Sequence, residues 1–305
     1  MSTVVEQLQR ARTRHRKIYF RPNAGNAGDA LINVGFYSLA ARVGLPYTEI
    51  GDDFDYASIN REDLLILSGG GTIVPYWRAG SDLLRHLTQF NFPLMLMPQS
   101  IAGRQEILSL LRPQDVLFLR ESYSYDYAQS LGLQCRVLRD HDLAFATDPD
   151  LLNQPLSRPQ LSVKHSRKML QLAYHYLRSR LTSSLVALRT DRESRLPGCA
   201  KPINDISTIA RFGTRTRALN LFSARWLLKA LSWYKVVETD RLHVCLGCLL
   251  VGTQVVLREN AYHKIRGVFE YSIQPHPTYA PLVNFLEADR KAATTDATPC
   301  ANTKF

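Results

Sequence analysis

The sequence predicts an α/β protein built on parallel sheets of the Rossmann type, and three observations carry that prediction. Strand-length runs at 64–67, 94–97 and 116–119 are apolar at every position, the mark of strands buried on both faces. Helical segments separate them, which is the alternation that parallel sheets require. Polar clusters at 25–29, 69–72, 98–100 and 120–122 follow successive strands. Ligands bind such sheets at the carboxyl ends of the strands, so these clusters are expected to converge on one rim. With 305 residues, and roughly 150 residues per domain, two domains are expected.

A helix over about 4–14 leads into a strand at 17–21 that stops at the turn Pro22-Asn23-Ala24-Gly25. Leu31, Val34, Leu39 and Val43 lie near helical spacing and predict a helix over 29–43. The strand at 64–67 runs into Ser68-Gly69-Gly70-Gly71-Thr72, and a helix over 81–89 precedes the strand at 94–97. That strand is expected to stop at Pro98-Gln99-Ser100. The strand at 116–119 stops at Arg120, a helix follows over 122–131, and a short strand at 137–138 precedes Asp140-His141-Asp142. Three prolines within 148–160 mark a linker. Beyond it come a basic helix over 163–181, a strand at 185–188, a helix over 224–231 and a strand at 235–237. The segment 240–250 and a strand at 254–257 complete a second αβ unit. Residues 1–150 are therefore read as a first Rossmann-like domain, 151–286 as a second, and 287–305 as a mobile tail.

Hydrophobic residues make up 45% and charged residues 21% of the chain, which excludes global disorder. No run reaches the ~18 apolar residues of a membrane span. The longest, 244–257, is broken by Gly247, Gly252, Thr253 and Gln254. Residues 1–17 hold basic side chains without an apolar core, so no secretory signal is expected. Five cysteines are too sparse for a disulfide framework. A cytoplasmic location is the expectation. The net charge is +11, and it is unevenly placed. Residues 1–150 hold 15 basic and 17 acidic residues, whereas 151–305 hold 23 and 10. Residues 158–235 alone carry 16 basic side chains against Asp191, Glu193 and Asp205. Such a field suits an anionic ligand or membrane surface. A nucleic-acid partner would need a recognised binding module, and none is visible, so none is expected.

Gly25-Asn26-Ala27-Gly28-Asp29 sits between a strand and a helix, where glycines admit a ligand and free N–H groups meet an anion. A tight turn with Asp29 capping the helix explains the same residues. The segment lacks both the GxGxxG pattern and the Walker lysine. Gly69-Gly70-Gly71 is likewise a close-approach loop or a turn. Asp240-Arg241-Leu242-His243 opens a helix, and a guanidinium with an imidazole two residues on can cradle a phosphate or carboxylate. An Asp–Arg pair beside a packed histidine is the plainer account. Cys245 and Cys248 read as buried small hydrophobes, Asp140-His141-Asp142 as a polar loop, and Arg215 with Arg217 as basic surface.

Taken in order, GNAGD (25–29), SGGGT (68–72), MPQS (97–100), RESYS (120–124), DLAF (142–145), LRTDRES (188–194), TDRLH (239–243) and RENAYHK (258–264) resemble the polysaccharide pyruvyl transferase family. The resemblance implies two Rossmann-like domains in a GT-B-like arrangement, with the active site between them. It implies transfer of a pyruvyl group from phosphoenolpyruvate to sugar hydroxyls, giving a ketal on an exopolysaccharide or its lipid-linked precursor. It places the donor at Arg241, Leu242 and His243, with Arg120 as a second donor ligand. Val244 stands where the family commonly has glycine, and Glu259 and His263 depart from the family's usual Asp-Asn-Ser-Tyr-Gly-Lys.

Chemistry agrees with that implication. A carboxylate and a phosphate need several fixed cations, which Arg241, Arg120 and Lys264 would supply. His243 is the candidate acid and Asp29 the candidate base, with Glu121 in reserve. Gly25, Asn26, Gly28, Gly69, Gly70, Gly71, Gln99, Ser100 and Glu121 are the expected rim. No step calls for a metal or a cofactor. The expected partners are phosphoenolpyruvate and a saccharide acceptor, carried on a lipid diphosphate or already polymeric, with peripheral membrane contact. The alternatives are a nucleotide-sugar-dependent glycosyltransferase of the same fold and a non-catalytic subunit of polysaccharide assembly.

Overall fold

The apolar runs 64–67, 94–97 and 117–119 are buried on both faces in the computed structural model, which describes residues 3–153, 163–189, 191, 193–194 and 204–287. They lie in a first sheet of β1 (Ile18–Arg21), β2 (Thr48–Glu49), β3 (Leu64–Leu67), β4 (Gly70–Ile73), β5 (Leu94–Ile101), β6 (Val116–Leu119) and β7 (Arg136–Arg139). Every pairing is parallel, in the order β2-β1-β3-β5-β6-β7, with β4 laid along β5. A second sheet, also parallel, contains β8 (Ser184–Ala187), β9 (Val236–Thr239), β10 (Gln254–Arg258) and β11 (Val283–Leu286), ordered β11-β10-β9-β8. The fold is mixed α/β, Rossmann-like and GT-B-like.

The helices are α1 (Thr3–Arg14), α2 (Ala27–Val43), α3 (Ala79–Leu87), α4 (Gln105–Leu108), α5 (Ser122–Ser130), α6 (Pro149–Asn153), α7 (Val163–Ser179), α8 (Ile206–Ile209), α9 (Arg217–Leu231), α10 (Leu242–Leu250) and α11 (Lys264–Val268). A π-helical segment, Phe269–Ile273, continues α11. No helix among the described residues is long and apolar enough to cross a membrane.

Helix α2 is buried on nearly every side, as a helix without a polar face must be. It packs on α9 and α10 and so joins the helical layers of the two sheets. One continuous apolar core contains Phe20 and Ile66 of the first sheet, Leu31 and Phe36 of α2, and Val237 and Leu257 of the second sheet. A polar seam crosses the same boundary. Asn33 donates to Asn220 Oδ1 at 2.9 Å, and Asn220 donates to the Tyr37 hydroxyl at 2.9 Å. Asn33 also accepts from Ser68 Oγ at 2.6 Å. These buried groups are thus hydrogen-bonded, as their removal from water demands.

Several boundaries differ from those the sequence predicts. β5 does not stop at Pro98 but runs on to Ile101, with a register shift against β6 between Leu96 and Gln99. A proline is tolerated at such an irregularity because it has no N–H to contribute to the ladder. The extension of β5 gives Gly70–Ile73 a partner, so this glycine-rich stretch is partly strand and not wholly loop. α9 begins at Arg217, seven residues before the expected start, because the Thr216 side chain accepts from Leu219 N–H and caps it. Part of the predicted linker is helical (α6); residues 154–160 lie outside the described residues, as does the tail beyond Glu287. β2, β11, α4, α8 and α11 had no clear sequence signal, being short or lacking an apolar period. Cys245 and Cys248 are buried free thiols on α10, and burial pushes both well up from the ordinary thiol value.

Candidate functional site

A cleft of about 350 Å3 opens where the carboxyl ends of β1, β4, β6, β8 and β9 face one another, and both sheets contribute to its wall. Gly25, Asn26, Asp29, Gly71, Trp77 and Arg120 come from the first sheet's side. Arg189, Asp191, Glu193, Arg241, Leu242, His243 and Lys264 come from the second. A larger cleft of about 680 Å3 is lined by Leu64, Leu94, Val116 and Arg136. These residues begin their strands, so that cleft lies at the opposite edge from the one where parallel sheets place their ligands.

Arg120 is the centre of the smaller cleft. It follows β6 directly and is fully buried. Its Nε donates to Ser100 Oγ at 2.9 Å, and its Nη1 donates to Asp142 Oδ2 at 2.6 Å. His243 Nε2 lies 3.3 Å from Arg120 Nη1 and 3.4 Å from Asp142 Oδ2. Burial opposes ionisation of Asp142, but Arg120, His243 and the Ala144 N–H outweigh it and hold the carboxyl well below the usual carboxylate range. Arg120 Nη2, by contrast, is buried without a hydrogen-bond partner, and so is the hydroxyl of Tyr262. A Cβ on Gly71 would stand 2.9 Å from the Tyr262 hydroxyl and 3.1 Å from Arg120 Nη2. Two unused donors therefore converge over a position that only glycine leaves open.

The second sheet supplies a network of charges. Arg189 donates to Asp191 at 2.7 Å and to Glu193 at 2.5 Å. Glu193 also accepts from Lys264 Nζ at 2.5 Å, from Asn260 at 3.0 Å and from Trp77 Nε1 at 2.6 Å. Burial works against its charge, yet Lys264 and Arg189 prevail and bring it down to about 2. Lys264 is drawn down to about 8, chiefly by burial, with Arg189 and Arg120 adding to that and Glu193 opposing it. Arg241 donates from Nη2 to Asp205 at 2.6 Å and lies 3.3 Å from Asp191, while its buried Nε has no partner. The cleft is thus not a simple positive hole. Its cations are held in place by buried carboxylates, and selected donors remain unused.

The expected rim residues divide into two groups. Gly25, Asn26, Asp29 and Gly71 line the cleft. Asn26, and not Asp29, is the N-cap of α2: its side chain accepts from Gly28 N–H, while Asp29 accepts from Asn26 N–H at 2.9 Å to complete a capping box. Gly28 serves close packing, since a Cβ there would come within 2.6 Å of His243 Cβ. Gly69, Gly70, Gln99 and Ser100 stand behind the wall, where Gln99 donates to Ser68 O at 2.8 Å and Ser100 supports Arg120. Glu121 is fully buried and caps α5 through Ser124, with His263 Nε2 at 3.4 Å, away from the cleft lining.

Sequence reasoning passed over Asp142, which it assigned to a polar loop, and also Arg189, Asp191, Glu193, Asp205 and Tyr262. The alternation of opposite charges in Arg189-x-Asp191-x-Glu193, just after the half-buried strand β8, is a usable signal. Asp142 opens the DLAF segment, but its partners are distant in sequence and nothing local gives it a role.

The fold and cleft define a class: an α/β protein of two Rossmann-like parallel sheets that share a cleft at their carboxyl edges. Residues 16–262 match the family described as polysaccharide pyruvyl transferase, and the chain belongs to that family. Membership makes it a transferase and implies a saccharide acceptor. A solved structure of an uncharacterized protein from Klebsiella pneumoniae subsp. pneumoniae NTUH-K2044 is similar over 93% of this chain and 97% of its own, with a TM-score of 0.72 and 26% identity. Among curated proteins none matches.

Proposed function

We propose that the cleft binds phosphoenolpyruvate and that the protein transfers its pyruvyl group to two hydroxyls of an exopolysaccharide sugar or its lipid-linked precursor, forming a ketal. The observation that carries this reading is the convergence of two unpartnered buried donors, Arg120 Nη2 and the Tyr262 hydroxyl, over Gly71. A buried donor without an acceptor costs about 1–3 kcal/mol, and an anionic ligand oxygen removes that cost. Arg241 and Lys264 complete the cation set for a donor bearing both carboxylate and phosphate.

In the reaction, His243 gives a proton to the methylene carbon, which becomes the methyl group and leaves C2 electrophilic. Asp142 holds the imidazole in position. The first sugar hydroxyl forms a C–O bond at C2, and Asp29, facing the cleft, takes its proton. The second hydroxyl then displaces phosphate, whose C2–O bond breaks, and its proton leaves with the phosphate. Arg120 and Lys264 stabilise the charge that builds on the departing group.

Thermal unfolding during titration with phosphoenolpyruvate and, separately, with UDP tests the reading. Stabilisation by the first and not the second is expected; stabilisation by UDP alone would favour a nucleotide-sugar donor. Gly71→Ala should weaken donor binding at least about tenfold, corresponding to ~1.4 kcal/mol. His243→Ala should abolish the ketal product while donor binding is nearly retained. Undiminished turnover would remove His243 from the mechanism.

A further inference from the structure

We propose that the outward face of α7 docks on an anionic lipid bilayer. Leu170, Tyr174 and Leu177 recur at helical spacing on one face, and Leu181 follows in the closing turn. Their exposures are 72%, 46%, 64% and 87%, whereas the opposite face buries Leu172 and His175. Exposed apolar side chains in one contiguous row mark an interaction surface more than scattered ones do. Helical periodicity sets Arg167 and Arg178 on one flank of the row, and Arg180 stands on the other. An apolar row with an arginine rim is the pattern of a helix lying in a membrane interface, with leucines among the acyl chains and guanidinium groups at the phosphates.

The charge distribution selects the partner. Residues 158–235 hold 16 basic side chains and three acidic ones. All three acidic side chains are paired with cations of the cleft: Asp191 with Arg189, Glu193 with Lys264, and Asp205, buried behind the lining, with Arg241. The acidic groups that could have neutralised the outer surface are thus used internally. Arg178 donates to Asn204 Oδ1 at 3.0 Å and Arg180 to the Tyr176 hydroxyl at 2.8 Å; these partners are neutral, so the positive charge of the rim is uncompensated by them. A second copy of the chain would set the same rim against itself, which like charges oppose. An anionic bilayer complements it.

The inner face of α7 connects this surface to the site. Lys168 Nζ donates to the carbonyls of Thr208 at 2.8 Å and Arg211 at 2.6 Å, and both residues line the cleft. Docking would hold that wall next to the bilayer, within reach of a saccharide carried on lipid.

Flotation of the full chain with vesicles of phosphatidylglycerol and phosphatidylcholine, against pure phosphatidylcholine, tests the proposal and reads binding alone, independently of the donor chemistry. Flotation with the anionic vesicles at about 50 mM salt, weakening by about 300 mM, is expected. Leu170→Gln with Leu177→Gln should lower partitioning at least about tenfold, and Arg167→Glu with Arg180→Glu should reduce it similarly. Unchanged thermal unfolding would show that these surface variants fold. A native chain that stays in the buffer, or leucine variants that float as well as the native chain, would overturn the proposal. So would a sedimenting dimer that the leucine variants convert to monomer without any vesicle binding, which would assign the face to a second copy.

Discussion

Lys264 shows how burial and charge act on one side chain. Burial, helped by Arg189 and Arg120 and opposed by Glu193, brings it down to about 8 from an ordinary value of 10.5, so its charge titrates just above neutrality. On the proposed function, donor affinity should therefore fall as pH rises through about 8, because a cation of the proposed donor site is lost. Fold stability should move the other way. The native state releases its proton near 8 while the unfolded chain holds one up to about 10.5, so stability rises with pH across that window. Donor KM and chemical denaturation measured over about pH 7–10 check both signs. Lys264→Arg, which does not titrate there, should flatten the donor profile. A native profile that is already flat would take Lys264 out of donor binding. Glu193 moves stability in the same direction, in a much lower pH window. Its depressed value of about 2 means that its contribution is complete above the usual carboxylate range and is lost as pH falls towards 2.

At the scale of elements, α2 fixes the site. Its capped start presents Asn26 and Asp29 to the cleft, and Gly28 lets it approach His243 on α10. About two turns into the helix, Gly35 rests on the Leu143–Ala146 turn, where a Cβ would overlap the Leu143 carbonyl oxygen. Backbone cannot yield as a flexible side chain does. Gly35→Ala is expected to lower unfolding free energy by about 1–3 kcal/mol and, by shifting the turn that follows Asp142, to weaken binding at the proposed donor site as well. Gly51→Ala, where nothing lies within 4 Å, should change stability by less than about 0.5 kcal/mol. Denaturant melts of the two variants decide the matter: equal stability would mean that the α2 contact is not tight.

For the whole molecule, the continuous core and the Asn33–Asn220 seam join the two sheets. A shared core predicts a single cooperative unfolding transition. Asn220→Ala leaves the buried Asn33 and Tyr37 short of a partner each, and should lower the midpoint of that transition, at about 1–3 kcal/mol per stranded group. Calorimetry showing two separate transitions, with only the second moved by the variant, would mean instead that the sheets unfold as independent domains.

The sequence by itself determined the strands buried on both faces, the alternation with helices and the family. Each of these is written in contiguous residues: the 64–67 and 94–97 runs are apolar without any reference to a partner, and Arg241-Leu242-His243 is read as it stands. Only the tertiary structure decided which polar residues face the cleft. Arg120 and Asp142 are 22 residues apart, and Lys264 and Glu193 are 71 apart, yet burial and hydrogen bonding make each pair a unit. The same structure turned Glu121 into a helix cap, put Gly28 between two helices and gave Gly70–Ile73 a strand to pair with. Local pattern specifies backbone hydrogen bonding and apolar faces, whereas the state of a buried charge depends on what the fold places beside it.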